Sequence, residues 1–287
     1  MSGPSPARRS PKITRRRFLV ASGLTLVGVT GVGHLESKNI EVTRNTLYLP
    51  NWDADGFKIA QITDTHIDNL AALDRAAKAV HLAIAEKPDV IFFTGDFATG
   101  GDSITHERIV SAFEPLFDVG CPSFAIFGNH DWSGGRPWVL DPLIRKQTAM
   151  TLLRNEMAEC QGVTLAGMDD ALYGQHRPDV ITRDQSSRSL LVLLHEPDYV
   201  TDMPSFASLT LCGHSHGGEI CLPGGVPIHT PRGANELKVG FYPKAQVPTY
   251  VCRGIGHLGP GRVFCAPELA VFTVRKTDGA PAIQSIA

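Results

Sequence analysis

The sequence predicts an α/β fold, and two features support this prediction. Short apolar runs rich in β-branched residues recur along the chain, as in buried strands. Segments with apolar residues spaced three or four positions apart, which is typical of helices, separate the first of these runs. The runs interpreted as buried strands cover residues 58–63, 89–94, 122–127, 189–194 and 208–212. At 287 residues the chain has room for one large domain with a full core.

The other elements follow from local patterns. Residues 41–49 alternate weakly and predict a strand at the edge of a sheet, and a turn rich in Asp follows at 50–56. Residues 70–86 are rich in Ala with helical spacing and stop before a proline. Further helices are predicted over residues 106–117 and 138–150, and further strands over 151–153, 163–166 and 268–275, the last strand of the chain. Residues 172–188 predict a surface excursion, and 217–261 predict a long loop region with short strands.

A polar block stands directly after each of the five buried runs. The blocks are Asp64-Thr65-His66, Gly95-Asp96, Gly128-Asn129-His130-Asp131, His195 and Gly213-His214-Ser215-His216. In an extended chain, the first and third residues of a block such as Asp-x-His point to the same side. Each block alone fits a surface loop or a turn, and His195 alone fits a core histidine. Together they would bury many polar groups, which costs several kcal/mol unless cations satisfy them.

The composition of the blocks indicates the kind of metal. Asp, Asn and His ligands without cysteine favour Mn, Fe or Zn in a reactive site over a structural zinc site. The six cysteines form no CxxC pair, which argues against a zinc knuckle or a thioredoxin-type motif. Free thiols are the simpler interpretation for a chain with its own core. Cys212 and Cys221 flank the last block and could pair in an oxidising compartment.

Charge is distributed unevenly along the chain. Residues 1–35 hold six basic residues and no acidic residue, whereas the rest holds 21 basic and 29 acidic residues, a net charge of −8. Residues 36–287 are therefore too acidic for a surface that binds nucleic acid, which needs clustered basic residues. No nucleic-acid partner is therefore expected, and a nuclease is disfavoured.

The N-terminal segment resembles a twin-arginine export signal. Arg15, Arg16 and Arg17 follow a threonine and precede Phe-Leu, and residues 18–33 are apolar and rich in Gly. Alternatively, the basic residues flank a membrane anchor, although a run of 16 residues is shorter than the ~20 needed to span a bilayer. We expect residues 1–35 to be a signal or anchor and 36–287 to be the domain. The protein would leave through the twin-arginine machinery and lie in the periplasm or on the outer face of the cytoplasmic membrane, associated with it through residues 18–33.

As a set, and in this order, the five blocks resemble the calcineurin-like metallophosphoesterase family over residues 57 to about 272. The resemblance implies a four-layer α/β/β/α sandwich with two divalent metal ions. By motif, it assigns Asp64, His66 and His216 to the first ion, Asn129, His195 and His214 to the second, and Asp96 to both as a bridge. It implies that the catalytic residue His130 faces the substrate, with Asp131 as an orienting partner.

Three later blocks, at residues 193–198, 253–256 and 266–269, resemble one bacterial branch of that family. The branch contains exported or membrane-associated phosphodiesterases and relatives linked to UDP-2,3-diacylglucosamine hydrolysis. It commonly carries His-Asn-Pro-Asp where this chain has Glu196. The implied function is a phosphodiesterase in which a hydroxide bridging two ions attacks phosphorus in line. Its substrate would be a small-molecule or lipid phosphoester.

Two alternatives to this function stay open. One is a UDP-2,3-diacylglucosamine pyrophosphatase of lipid A biosynthesis, which a working export signal disfavours because that substrate is met in the cytoplasm. The other is a non-catalytic metal-binding protein on the same fold. Candidates for further substrate contacts are Arg232, Arg253, Arg262, His257 and Trp132, which equally fit ordinary loop residues.

Overall fold

The computed structural model describes residues 36–133, 137–183, 189–259 and 261–286, which form two mixed β-sheets. In spatial order the first sheet contains β15 (Ala282–Ile286), β1 (Glu41–Leu49), β14 (Glu268–Lys276), β2 (Phe57–Ile62), β3 (Val90–Thr94), β4 (Ser123–Ile126) and β5 (Met150–Leu152). The second contains β12 (Gly240–Tyr242), β13 (Thr249–Val251), β9 (Leu209–Cys212), β8 (Leu190–Leu193), β7 (Val163–Gly167) and β6 (Glu156–Cys160). A separate hairpin pairs β10 (Cys221–Leu222) with β11 (Val226–Pro227).

Helices connect the strands of the first sheet. They are α1 (Leu70–Ala85), α2 (Ser103–Phe113), α3 (Asn129–Trp132) and α4 (Pro137–Gln147), and a 3₁₀ helix at Glu114–Asp118 follows α2. Further 3₁₀ helices at Pro178–Val180, Pro197–Asp202 and His216–Gly218 follow strands of the second sheet. Asn69 begins α1 by accepting a hydrogen bond from the Ala72 backbone N–H, which satisfies one of the free donors at the helix start. The buried face of α1 is built from small alanines, which lets the helix lie close to the sheet.

The parallel pairings place the polar blocks at one edge of the sandwich. β2, β3, β4 and β5 run parallel in the first sheet, and β7, β8, β9 and β13 run parallel in the second. The carboxyl ends of parallel neighbours meet at the same sheet edge. All five polar blocks follow strands of these two sets.

Side chains alternate between two cores. In β2, Ile59 faces the second sheet, whereas Ala60 and Ile62 face the helices. The core between the sheets includes Trp52 and Phe272, and both are fully buried. A third cluster covers the outer face of the second sheet, where the 3₁₀ helix Pro197–Asp202 and loops form the outer layer of the described chain. The predicted α/β sandwich is confirmed, with that layer largely non-α-helical.

Several predicted elements differ from the structure. The strand over 41–49 is not at an edge, because β1 lies between β14 and β15. β15 follows the strand that was predicted to be last, and β6 was not predicted. The second helix begins at Ser103 and ends at Phe113, and Met150 belongs to β5 rather than to α4. Short amphipathic strands at sheet edges carry too little periodic signal to be recognised.

Two further predictions concern the cysteines and the N-terminal segment. The six cysteines are free thiols, so Cys212 and Cys221 are not paired. The signal or anchor predicted over residues 1–35 lies outside the described residues. Within the described ranges, no helix combines the length and the apolar character that crossing a membrane requires.

Candidate metal centre

The seven predicted ligands lie together at the carboxyl ends of β2, β3, β4, β8 and β9. Two groups of side chains bring their nitrogen and oxygen atoms within 4.8 Å of one another. Group one is Asp64, His66, Asp96 and His216, and group two is Asp96, His195 and His214. Asn129 adjoins group two, with its Oδ1 2.8 Å from His214 Nδ1. Each group could hold one cation, and Asp96 belongs to both.

The backbone at these positions is unusual. Among the described residues, ten non-glycine residues have positive φ, and five of them are predicted ligands. They are Asp64 (52°), His66 (44°), Asp96 (57°), His214 (68°) and His216 (51°). A left-handed conformation costs an L-residue about 1–3 kcal/mol and tends to persist at functional sites. Backbone strain at the strand ends therefore accompanies the turning of these side chains toward one point.

Two glycines make this convergence sterically feasible. A Cβ on Gly128 would lie 2.6 Å from His195 Nε2 and would also clash with an oxygen of Asp96. A Cβ on Gly213 would overlap the Thr63 hydroxyl and the Asp64 carboxylate. Close packing around the candidate ligands thus requires glycine at positions 128 and 213, where two of the polar blocks begin.

In group one, two imidazoles face each other. His66 Nε2 lies 3.1 Å from His216 Nε2, and the rings stack with centroids 5.0 Å apart. His216 Nε2 is 3.4 Å from Asp64 Oδ1, and His66 Nε2 is 3.6 Å from Asp96 Oδ2. Behind the rings, His66 Nδ1 contacts the Thr99 hydroxyl at 2.8 Å and His216 Nδ1 lies 3.3 Å from Glu219 Oε1. Side chains therefore hold the outer nitrogens of this group.

In group two, backbone carbonyls hold the imidazoles. His195 Nδ1 donates to Thr94 O at 2.7 Å, which leaves Nε2 facing Asp96 Oδ2 at 3.3 Å. His214 Nε2 donates to Arg232 O at 2.9 Å, which leaves Nδ1 against Asn129 Oδ1. These outer contacts fix which nitrogen keeps its lone pair for a ligand.

The inward-facing atoms fit a cation. His195 Nε2 is fully buried and has no hydrogen-bond partner. Elsewhere the lone pair of His214 Nδ1 meets the Asn129 carbonyl oxygen, and two imidazole nitrogens meet in group one. Buried acceptors that face one another without a donor are costly, and a cation between them relieves that cost. The donor set of oxygen and imidazole nitrogen suits Mn, Fe or Zn.

Burial and neighbouring charges shift the pKa values of the candidate ligands. Burial raises the pKa of Asp64 to about 6 and lowers the pKa values of His66 and His214 to about 4. Burial also acts to lower the pKa of His195, but the carboxylates of Asp96, Asp64 and Glu196 together hold that pKa well above its usual range.

His130 and Asp131 have different surroundings. The His130 ring is half-buried, lies 5.0 Å from the His66 ring, and lines a cavity of about 270 Å³ beside the two groups. Asp131 was predicted to orient His130, and this is wrong. Its two oxygens accept backbone N–H groups of Asp96, Phe97 and Gly128 at 2.8–2.9 Å, so it ties two loops of the centre together.

Sequence reasoning missed a buried acid pair beside His195. Glu196 is fully buried, accepts from the Ala171 N–H and contacts Asp170. Burial and the Asp170 carboxyl raise the pKa of Glu196 well above its usual range. The only signal in the sequence was Glu196 itself, which replaces the Asn common in the resembling branch. The pair fastens the loop at 170–174 to the end of β8.

The other candidate contacts are mostly structural. Arg262 is fully buried and donates to the carbonyls of His216 and Gly256, and Arg253 pairs with Glu268 and Glu41. Trp132 donates to Asp169 and His257 contacts the Gly259 carbonyl. The Arg232 side chain is exposed, and its backbone carbonyl holds His214.

Comparison with known proteins matches this geometry. Residues 57–247 match the calcineurin-like phosphoesterase family. The chain is 34% identical to the metallophosphoesterase YkuE of Bacillus subtilis, over 93% of this chain and 99% of that protein. It is 30% identical to the phosphodiesterase YaeI of Escherichia coli, over 91% and 98%. It is 28% identical to the UDP-2,3-diacylglucosamine pyrophosphatase LpxG of Chlamydia trachomatis, over 82% and 88%. The chain therefore belongs to the calcineurin-like phosphoesterases, a family of metal-dependent phosphoester hydrolases.

Proposed function

We propose that the protein is a phosphodiesterase that works with two divalent cations, Mn, Fe or Zn, at the centre described above. The observation that supports this most is the pair of ligand groups that share Asp96. Asp64, His66 and His216 complete the first site, and Asn129, His195 and His214 complete the second. A relative named as a phosphodiesterase, matched over nearly its whole length, favours a diester substrate.

The chemistry divides between the cations and the chain. When bound, the cations would supply positive charge for the phosphoryl oxygens and lower the pKa of water. His130 lines the cavity and donates a proton to the leaving oxygen, which stabilises the departing alkoxide. The His130 backbone N–H donates to Asp96 Oδ1 at 2.8 Å, so the shared carboxylate also positions the catalytic residue. Asp131 keeps the loops of Asp96 and His130 in register.

A substrate screen tests the proposal. The full chain, loaded separately with Mn, Fe or Zn, is assayed on an aryl phosphodiester, the matching aryl monoester and UDP-2,3-diacylglucosamine. We expect the diester to be cleaved fastest with at least one metal. Faster cleavage of the monoester would contradict the proposed substrate class, and no cleavage with any metal would contradict the proposed centre.

The pyrophosphatase named among the relatives provides a second candidate function. It would make this chain an enzyme of lipid A biosynthesis acting on a UDP-linked lipid. Cleavage of UDP-2,3-diacylglucosamine well above the aryl diester would favour this alternative. The non-catalytic alternative has no support, because the family assignment is that of a hydrolase.

We also propose that residues 1–35 direct export through the twin-arginine machinery, and that residues 36–287 work in the periplasm or on the outer face of the cytoplasmic membrane. The support is the sequence pattern around Arg15, Arg16 and Arg17 and the apolar run at 18–33. Replacing the three arginines with lysine keeps the charge but removes the recognised side chains. Fractionation should then find the variant in the cytoplasm, whereas an unchanged distribution would contradict export by this route.

A further inference from the structure

Five large apolar side chains near the cavity are exposed to water. They are Leu222, Val226, Ile228, Leu258 and Phe264, each between 51% and 62% exposed. We call them the apolar rim. Single exposed apolar side chains are ordinary, but a contiguous set marks an interaction surface.

Three members of the rim share one face of the β10–β11 hairpin. Leu222 and Val226 are direct partners across the two strands. Cys221, on the opposite face, is buried. Ile228 lies two residues beyond Val226, and its N–H donates to Ile220 O at 3.3 Å, so the chain continues along the same partner. Alternation along the strand therefore points all three exposed side chains outward.

Phe264 lies beside the hairpin. Residues 220 and 263 form a parallel bridge, and the Cys221 N–H donates to Val263 O at 2.9 Å, which places Phe264 beside the hairpin. Its φ is +53°, a strained value for a bulky residue. The chain thus holds an aromatic side chain in solvent at an energetic cost.

Leu258 connects the rim to the metal centre. It lines the same cavity as His130 and His216. The Leu258 N–H donates to Glu219 Oε1 at 2.6 Å, and that oxygen lies 3.3 Å from His216 Nδ1. His229, which follows Ile228, lines the cavity as well. The rim therefore borders the mouth of the cavity in which phosphoester cleavage would take place.

The N-terminal side of the described chain reaches the rim at Phe264. Glu36 accepts the N–H groups of Phe264 and Cys265 at 2.8 and 2.9 Å. Ser37 accepts the N–H of Arg262 at 2.9 Å. Only two residues separate the apolar run at 18–33 from Glu36. The described part of the chain therefore begins beside Phe264, directly after the apolar run in sequence.

We propose that the apolar rim docks on a phospholipid bilayer, so that the cavity meets phosphoester groups carried by membrane lipids. The inference rests on the proposed function for its substrate class, but the docking itself does not. A bilayer fits better than a protein pocket, because aliphatic side chains insert among acyl chains without needing matched contours. The apolar run at 18–33 precedes Glu36 closely in sequence and would add a second, linked contact with the bilayer.

The test uses the full chain and vesicles of phosphatidylcholine and phosphatidylethanolamine without anionic lipid, so that the N-terminal arginines contribute little. The rim variant is Leu222→Ser/Val226→Ser/Ile228→Ser. The control is Phe117→Ser/Val139→Ser, whose side chains are 58% and 49% exposed on the helical side of the first sheet. Residues 18–33 are common to all three proteins, so differences in vesicle partition report the rim.

We expect the rim variant to partition into vesicles about tenfold less than wild type, and the control to partition like wild type. All three proteins should cleave a soluble aryl diester equally, which shows that the fold is intact. Equal partition of rim variant and wild type would overturn the proposal. If the rim variant also melts at a lower temperature than wild type, the equal partition is explained by another part of the chain covering the rim. Rim-dependent partition without diester cleavage by wild type would support docking and contradict only the proposed function.

Discussion

The two groups of candidate ligands share Asp96 but differ in what holds their imidazoles from behind. In group one, the outer nitrogens of His66 and His216 meet side chains, namely Thr99 and Glu219. In group two, the outer nitrogens of His195 and His214 donate to backbone carbonyls. Group one therefore depends on residues that substitution can remove, whereas the orientation of group two is part of the strand and loop geometry.

This difference suggests distinct behaviour of the two sites. An outer partner fixes the tautomer and orientation of a ligating histidine, and its loss costs about 10–100-fold in metal affinity or activity. Only in group one are the outer partners of the histidines side chains, which a substitution can remove. The shared Asp96 should be the one position at which both sites fail together.

The largest effect is expected for Asp96→Asn. The substitution keeps the shape but removes the charge that serves both groups, so both ions should bind more weakly by more than the ~10–100-fold caused by losing an outer partner. Turnover should fall below detection. Metal analysis by mass spectrometry after gel filtration measures this, and a variant that still retains one full site would contradict the shared role.

His130→Ala should lower turnover by about 10²–10⁴-fold, because proton delivery to the leaving oxygen is lost. Metal content should stay at the wild-type level, since the backbone N–H that Asp96 accepts is preserved. Steady-state kinetics on the aryl diester, with metal content measured on the same samples, separates the two effects. Wild-type turnover would show that His130 has no part in the reaction.

Thr99→Val should distinguish the two groups. It removes the hydroxyl behind His66 but keeps the volume, so group one should lose about 10–100-fold in affinity while group two is unchanged. Calorimetric titration should then show one weakened and one unaltered site. The matched control is Thr148→Val, since Thr148 is buried just after the end of α4 and its hydroxyl donates to Ile144 O. Equal weakening of both sites would remove the distinction drawn above.

The smallest effect concerns pH. Burial raises the pKa of Asp64 to about 6, so a cation in group one must displace a proton below that pH, and its affinity should fall about tenfold from pH 7 to pH 5. Above pH 7 group one should level off. In group two, burial acts to lower the pKa of His195, but the carboxylates of Asp96, Asp64 and Glu196 together raise it, so affinity should keep rising above pH 7. Titrations at pH 5, 7 and 8 measure both, and identical pH profiles would contradict the assignment.

The sequence predicted the buried strands well and the exposed strands poorly. The buried strands, such as β3, were predicted to within a residue or two, because a short unbroken run of β-branched and aromatic residues is typical of a strand that is covered on both faces. Strands β6 and β15 were missed because they are partly or wholly exposed and mix polar with apolar residues. The exposure of a strand at a sheet edge depends on its neighbours, which a local pattern does not contain.

The grouping of the ligand side chains was predictable, but their outer contacts were not. Asp64 and Asp96 follow neighbouring parallel strands, so their meeting follows from strand order. His195 follows β8 of the second sheet, and its place in the centre was implied by the family resemblance. The contacts of His195 with Thr94 O and of His214 with Arg232 O involve the backbone, which leaves no residue-specific signal. The same holds for Asp131, whose carboxylate binds three backbone N–H groups instead of a histidine.

The central claim is that two cations share Asp96. Anomalous diffraction from crystals of the Mn- or Zn-loaded full chain tests it most directly. We predict two anomalous peaks, one within ligand distance of Asp64, His66, Asp96 and His216, and the other within ligand distance of Asp96, Asn129, His195 and His214. A single peak, or a second peak away from Asp96, would contradict the account.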